Sequence, residues 1–159
     1  NNNMTLKEYV NQTNKSGETP LMIAVESQHI HIVQYLIDQC EADTNITNDN
    51  GWSVLRYSVM GKYIGEIGEP IPFEARFKYY TFNFDLIQYL LEHMSIDSIN
   101  RKCRSDKTPL DCTYLNPYLD NKTRLDMIEL INSKGGKLNF RSCDGKLLDD
   151  DSNKDLRQL

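Results

Sequence analysis

The side chains able to do covalent or metal chemistry are few and poorly spaced for it. His29 and His31 are two residues apart, which on a helix points them to different faces and spoils a shared metal site, leaving only His93. Cys40, Cys103, Cys112 and Cys143 are separated by 62, 8 and 30 residues, which matches neither a zinc ribbon nor a dense disulfide frame. Reduced thiols in a cytosolic protein are the expectation. Cys112 falls at an apolar helix position and Cys103 in a turn, and neither has a nearby His with Asn or Asp to activate a thiolate. Glycine-rich phosphate loops, H-E-x-x-H and G-x-S-x-G are absent from the sequence. The reading is a non-enzyme with no catalytic residue, metal, cofactor or small-molecule substrate.

What remains is recognition chemistry. Arg101, Lys102, Arg104 and Lys107 put four of the 18 Lys and Arg residues into one short stretch. That run either grips an acidic partner segment or is simply solvated. Taken whole, the chain carries 23 acidic residues and a formal charge of −5, the wrong sign for a general phosphate-backbone binder, so nucleic acid is not the expected partner. The longest apolar run, Leu21 to Val25, is far below the roughly 18 to 20 residues that cross a bilayer, so no membrane span is expected. No basic segment precedes an apolar one near Asn1, and a secretory signal is not expected either. With 159 residues, 39% of them apolar and 26% charged, the chain suits one compact unit or a short array.

The elements that must position these residues follow from an internal repeat. Ile32-Val33-Gln34-Tyr35-Leu36-Ile37 is echoed by Leu86-Ile87-Gln88-Tyr89-Leu90-Leu91 and by Met127-Ile128-Glu129-Leu130-Ile131. Before each lies a turn and a short apolar run: Gly17-Glu18-Thr19-Pro20-Leu21, Gly51-Trp52-Ser53-Val54-Leu55 and Asp106-Lys107-Thr108-Pro109-Leu110. Thr19 to Ser53 is 34 residues and Ser53 to Thr108 is 55, so the second unit holds about 20 extra residues between its apolar blocks.

One unit can be read from physics. Asn14-Lys15-Ser16-Gly17 forms a turn. Thr19 caps a helix whose first residue is Pro20, where a missing N–H costs nothing, and that helix runs to about Glu26. The next block sets Ile30, Val33 and Ile37 on one stripe with Ile32 and Leu36 beside it, too wide for a helix covered on one side only. Matching stripes (Phe84, Ile87 and Leu91 with Leu86 and Leu90; then Leu125 and Ile128 with Met127 and Ile131) imply stacking.

These residues resemble the ankyrin repeat, a β-turn plus two antiparallel helices with a T-P-L-H-x-A signature. Thr19-Pro20-Leu21-Met22-Ile23-Ala24 fits it well, and the family's closing segment is echoed at Ala42-Asp43-Thr44-Asn45, Ile99-Asn100 and Gly135-Gly136-Lys137-Leu138-Asn139. The resemblance implies an all-α solenoid of stacked helix-turn-helix units with β-turn fingers. Residues 1–13 would be the end of a preceding repeat or a cap, 14–47 the first repeat, 48–102 the second with an insertion at 61–83, 103–141 the third, and 142–159 an incomplete repeat or acidic cap. The signature His is replaced by Met22, Arg56 and Asp111, which should loosen the links between neighbouring turns.

The resemblance also implies that a protein partner binds on fingers and palm. Position by position it nominates Lys15, Glu18, Met22 and Glu26; Asp49, Asn50, Trp52, Arg56 and Met60; and Arg101, Arg104, Lys107 and Asp111, with Ser16, Ser27, Ser105 and Leu115 beside them. Trp52 is either an exposed anchor of the kind enriched in hot spots or folds back on its own hairpin. The insertion holds six of the 15 aromatics, and Tyr63, Phe73, Phe77, Tyr79 and Tyr80 form a second candidate surface, packed on the body or facing a partner. Phe73, Phe77, Tyr80, Phe84, Ile87 and Leu91 step by four and three, which predicts one continuous helix from near Pro72. A cytoplasmic interaction module is the expectation, with a microbial or viral effector acting in a host cytosol as a finer version. A targeting or regulatory segment of a larger enzyme is the alternative.

Overall fold

Each first helix of a unit starts at a hydroxyl cap. In the computed structural model, which describes residues 3–66, 68 and 70–139, Thr19 Oγ1 accepts the Met22 N–H at 3.3 Å, Ser53 Oγ accepts that of Arg56 at 3.4 Å, and Thr108 Oγ1 accepts that of Asp111 at 3.2 Å. Helices α2 (Pro20–Glu26), α4 (Val54–Met60) and α7 (Pro109–Leu115) follow, two of them opening on proline. Their partners are α3 (Ile30–Asp38), α5 (Phe84–His93) and α8 (Asn121–Ser133). Short helices α1 (Leu6–Val10) and α6 (Ile96–Ile99) precede the turns of the first and third units.

Packing follows the repeat. Helix α2 pairs with α3, α4 with α5 and α7 with α8; α2 then lies on α4 and α4 on α7, while α3 lies on α5 and α5 on α8. Between the two rows sits one core, in which Leu21, Val25, Val33, Leu55, Val59, Leu86, Ile87, Leu90, Leu110, Met127 and Ile131 are buried. Ile32, expected beside its stripe, and Leu125, expected on its own stripe, are exposed.

The turns before the first helices are joined edge to edge by main-chain bonds: Asp49 N–H donates to Ser16 O at 3.1 Å and Arg104 N–H to Asn50 O at 3.0 Å. Each turn needs one residue at positive φ, supplied by Gly17 (77°), Gly51 (75°) and Asp106 (58°). A Cβ on Gly17 would stand 2.5 Å from Asp49 Oδ1 and one on Gly51 3.1 Å from Cys103 Cα, so the close approach of the turns selects glycine there. On the other side, Asn11 Oδ1 accepts the Asp43 N–H at 2.7 Å and Asn100 Oδ1 that of Lys137 at 2.6 Å, so at two of the junctions an asparagine fastens one closing segment to the next.

The insertion corrects two expectations. Strand β1 (Lys62–Tyr63) pairs antiparallel with β2 (Tyr80–Thr81), Lys62 opposite Thr81 and Tyr63 opposite Tyr80, so the protein is not purely helical. Phe73–Tyr79 forms a 3₁₀ helix that ends at extended Tyr80, and α5 starts afresh at Phe84 with Asn83 Oδ1 accepting the Leu86 N–H at 3.1 Å. A four-and-three spacing satisfies a tight turn, a ribbon and a new helix as readily as one long helix, because ribbon pairing and the Asn83 cap take up the intervening backbone. The nominated incomplete repeat at 142–159, Cys143 and the acidic tail lie outside the described residues.

Candidate partner-binding surface

Exposure divides the nominated residues. Lys15, Glu26, Asp49, Asn50, Arg101 and Arg104 are exposed, and Arg56, Met60 and Lys107 are half-buried. Met22 and Asp111 are buried at 1% exposure and present nothing to a partner. Both face inward from the third helical position: Met22 Sδ accepts the Thr19 N–H at 3.5 Å, closing its own cap, and Asp111 accepts the N–H groups of Thr108 and Asn139, each at 2.8 Å. Asp111 thus ties α7 to the closing segment of its own unit.

Trp52 folds back on its hairpin. Its ring meets Tyr57 edge-on at 5.6 Å and is half-buried against the core, while the Arg56 guanidinium lies over its outer face at 4.2 Å. Glu18 is also committed inward, accepting from Tyr57 Oη at 2.6 Å and from Asn14 Nδ2 at 3.0 Å. The Asn14 bond first, then the Tyr57 bond, hold its carboxyl below the ordinary range. Burial, followed by the bond to Glu18, pushes the Tyr57 phenol well above its usual value.

Between α4 and α7 the structure gathers Arg56, Met60, Ser105, Lys107, Cys112, Leu115, Asn116 and Pro117 around an open cavity of about 260 Å³. Five nominated residues, Arg56, Met60, Ser105, Lys107 and Leu115, meet there. The Arg56 side chain is drawn across from one unit to the next, where Nη1 contacts Cys112 Sγ, and its buried Nε has no hydrogen-bond partner among the described residues. Burial pushes the Cys112 thiol up, against the pull of the Arg56 charge. At Cys103, also buried, desolvation opposes ionisation, yet the Ser105 hydroxyl, nearby backbone N–H groups and Arg56 together bring the thiol below its ordinary value. Cys40, Cys103 and Cys112 are free thiols, and the arrangement holds a cation at the cavity wall without positioning a nucleophile beside a base.

The cavity's lower edge was not legible in the sequence. Pro117 O accepts from Arg76 Nε at 2.6 Å, and Tyr80 stacks on Tyr118 at 4.0 Å, docking the insertion on the loop between α7 and α8. On its other flank Asn83 N–H donates to Gln28 Oε1 at 2.8 Å, so the insertion spans from the first unit to the third. Arg76 lies between the Phe73 and Phe77 rings at 3.8 and 4.4 Å, and both rings stay exposed. Tyr63 of the ribbon stacks on Tyr79, the last residue of the 3₁₀ helix, at 6.3 Å. The only sequence signal for the docking was the turn chemistry of Asn116-Pro117, which marks a loop and names no partner.

A family model described as ankyrin repeats, three copies, matches residues 1–66. Those residues belong to the ankyrin repeat family. The third unit, beyond the matched stretch, repeats the Thr-Pro cap and the positive-φ turn of the first. Ankyrin repeats are generally protein–protein interaction modules and typically non-catalytic. Among the described residues no helix is long and apolar enough to cross a membrane.

Proposed function

We propose that the three units form an ankyrin solenoid whose first-helix row, from the turns to the insertion, binds a protein partner. The supporting observation is the cavity between α4 and α7. It combines exposed apolar surface at Leu115 with two cations, Arg56 and Lys107, that have no carboxylate partner among the described residues. The stack on Trp52 holds the guanidinium at the cavity wall with only a weak sulfur acceptor for its donors among the described residues, which favours recognition.

The test is comparative capture from cells that express the protein, followed by mass spectrometry. Met60→Lys with Leu115→Lys should lose the specific partners, while Glu92→Lys on exposed α5 should keep them. Equal recovery by both variants would contradict the assignment.

A further inference from the structure

We infer that the α4–α7 cavity receives a single carboxylate side chain, Asp or Glu, set in an apolar stretch of the partner; this rests on the binding surface proposed above. The argument starts from Arg56. Among the described residues its side chain donates only to Cys112 Sγ, a weak acceptor, although a guanidinium carries five donors. Its Nε is buried and unpaired. The Trp52 ring at 4.2 Å fixes the guanidinium plane and closes one face, so little side-chain entropy is left to lose on binding. An arriving carboxylate would replace a weak sulfur contact with charge-assisted bonds.

Lys107 supplies a second cation on the same cavity, held among the described residues by a long 3.5 Å bond to Ser105 O, and exposed Arg104 precedes it on the same turn. The buried acid beside this group, Asp111, is already occupied by the Thr108 and Asn139 N–H groups and does not pair with Arg56. Besides Ser105, Cys112 and Asn116, the wall is apolar at Met60, Leu115 and Pro117, which asks for apolar neighbours of the acid. Pro117, tied to Arg76, carries this wall to the exposed Phe73 and Phe77 rings, a ledge for a further apolar or aromatic side chain. A chain of net charge −5 gains nothing from a polyanion beyond the cavity, which favours one acid over an acidic run.

The experiment pans a random twelve-residue peptide library, displayed on phage, against the full chain, and measures the most enriched peptide by fluorescence anisotropy. Peptides bearing Asp or Glu beside Leu, Ile, Met or Phe are expected. Arg56→Gln, Lys107→Gln and the peptide's own Asp→Asn or Glu→Gln change should each weaken binding by at least about fivefold. Lys107→Gln guards against a folding defect, since Lys107 is half-buried in a turn, outside the core. Neutral or basic peptides that nevertheless weaken with Leu115→Gln would overturn the acid while leaving the binding surface in place. Peptides indifferent to Arg56, Lys107 and Leu115 changes would overturn both. Acidic peptides indifferent to Arg56→Gln and Lys107→Gln, or no enrichment above an unrelated protein, would overturn the inference.

Discussion

Asp111 and Asn139 are joined by a hydrogen bond from the Asn139 N–H to Asp111 Oδ1 at 2.8 Å, while the other carboxylate oxygen accepts the Thr108 N–H. The pair lies on a wider tie, because Thr108 Oγ1 donates to Lys137 O at 2.9 Å and Asn139 Nδ2 donates to Asp106 O at 2.7 Å. Asp111 therefore closes its own helix cap and anchors the segment after α8 at once.

Asp111→Ala would leave two backbone N–H groups unpaired in a buried place and should cost about 1 to 3 kcal/mol. The urea midpoint of the variant measures it. A midpoint equal to wild type would show that Asp111 does not hold the segment after α8 energetically.

Leu21 and Leu110 hold equivalent core positions, 0% and 2% exposed. Leu21→Ala and Leu110→Ala should each destabilise by about 2 to 5 kcal/mol, leaving little folded protein in a stack this short. Thermal melts report it, and unchanged melting of both variants would break the register that aligns the units.

The Glu18–Tyr57 pair predicts stability at both ends of the pH scale. Glu18 has its carboxyl lowered from 4.5, so its contribution is present above that value and is lost as pH falls through the lowered one. Tyr57 has its phenol raised from 10.0, so its contribution is intact below that value and is lost as pH climbs toward the raised one. Tyr57→Phe should flatten both arms of a denaturant-midpoint curve, and should also lower the plateau because buried Asn48 loses the acceptor 2.8 Å away. Identical acid and alkaline slopes in the variant would refute the pairing.

Tyr118→Ala removes the ring under Tyr80 and should cost about 0.5 to 1.5 kcal/mol, concentrated in the insertion. Hydrogen exchange should quicken at residues 62–81 more than in α2. Uniform change along the chain would mean that the ribbon does not lean on that loop.

How much of this the sequence disclosed depends on whether the signal was local. Thr19-Pro20 and Thr108-Pro109 state helix starts outright, since the cap and the first-turn proline act within three residues. Asn100 was visible only as the end of a motif, and Asn11 only as part of a stretch read as the end of a preceding repeat or a cap; their reach to residues 137 and 43 needs the stack itself. Met22 and Asp111 were misplaced because a position on a repeat does not reveal whether a side chain turns to its own cap or outward. The 73–91 spacing misled because its aromatics satisfy three different neighbours, Arg76, Tyr118 and the core. Of the candidate site, the sequence nominated Arg56, Met60 and Lys107 but could not show that they share a cavity, since two of them belong to one unit and the third to the next.

The central claim is that a partner segment enters between α4 and α7, and a hydrogen-exchange footprint of the full chain, with and without the library-selected peptide, addresses it directly. Slowed exchange at residues 53–60 and 104–117, with α3 and α8 unchanged, is the predicted result. Protection confined to α3, α5 or α8 would contradict it.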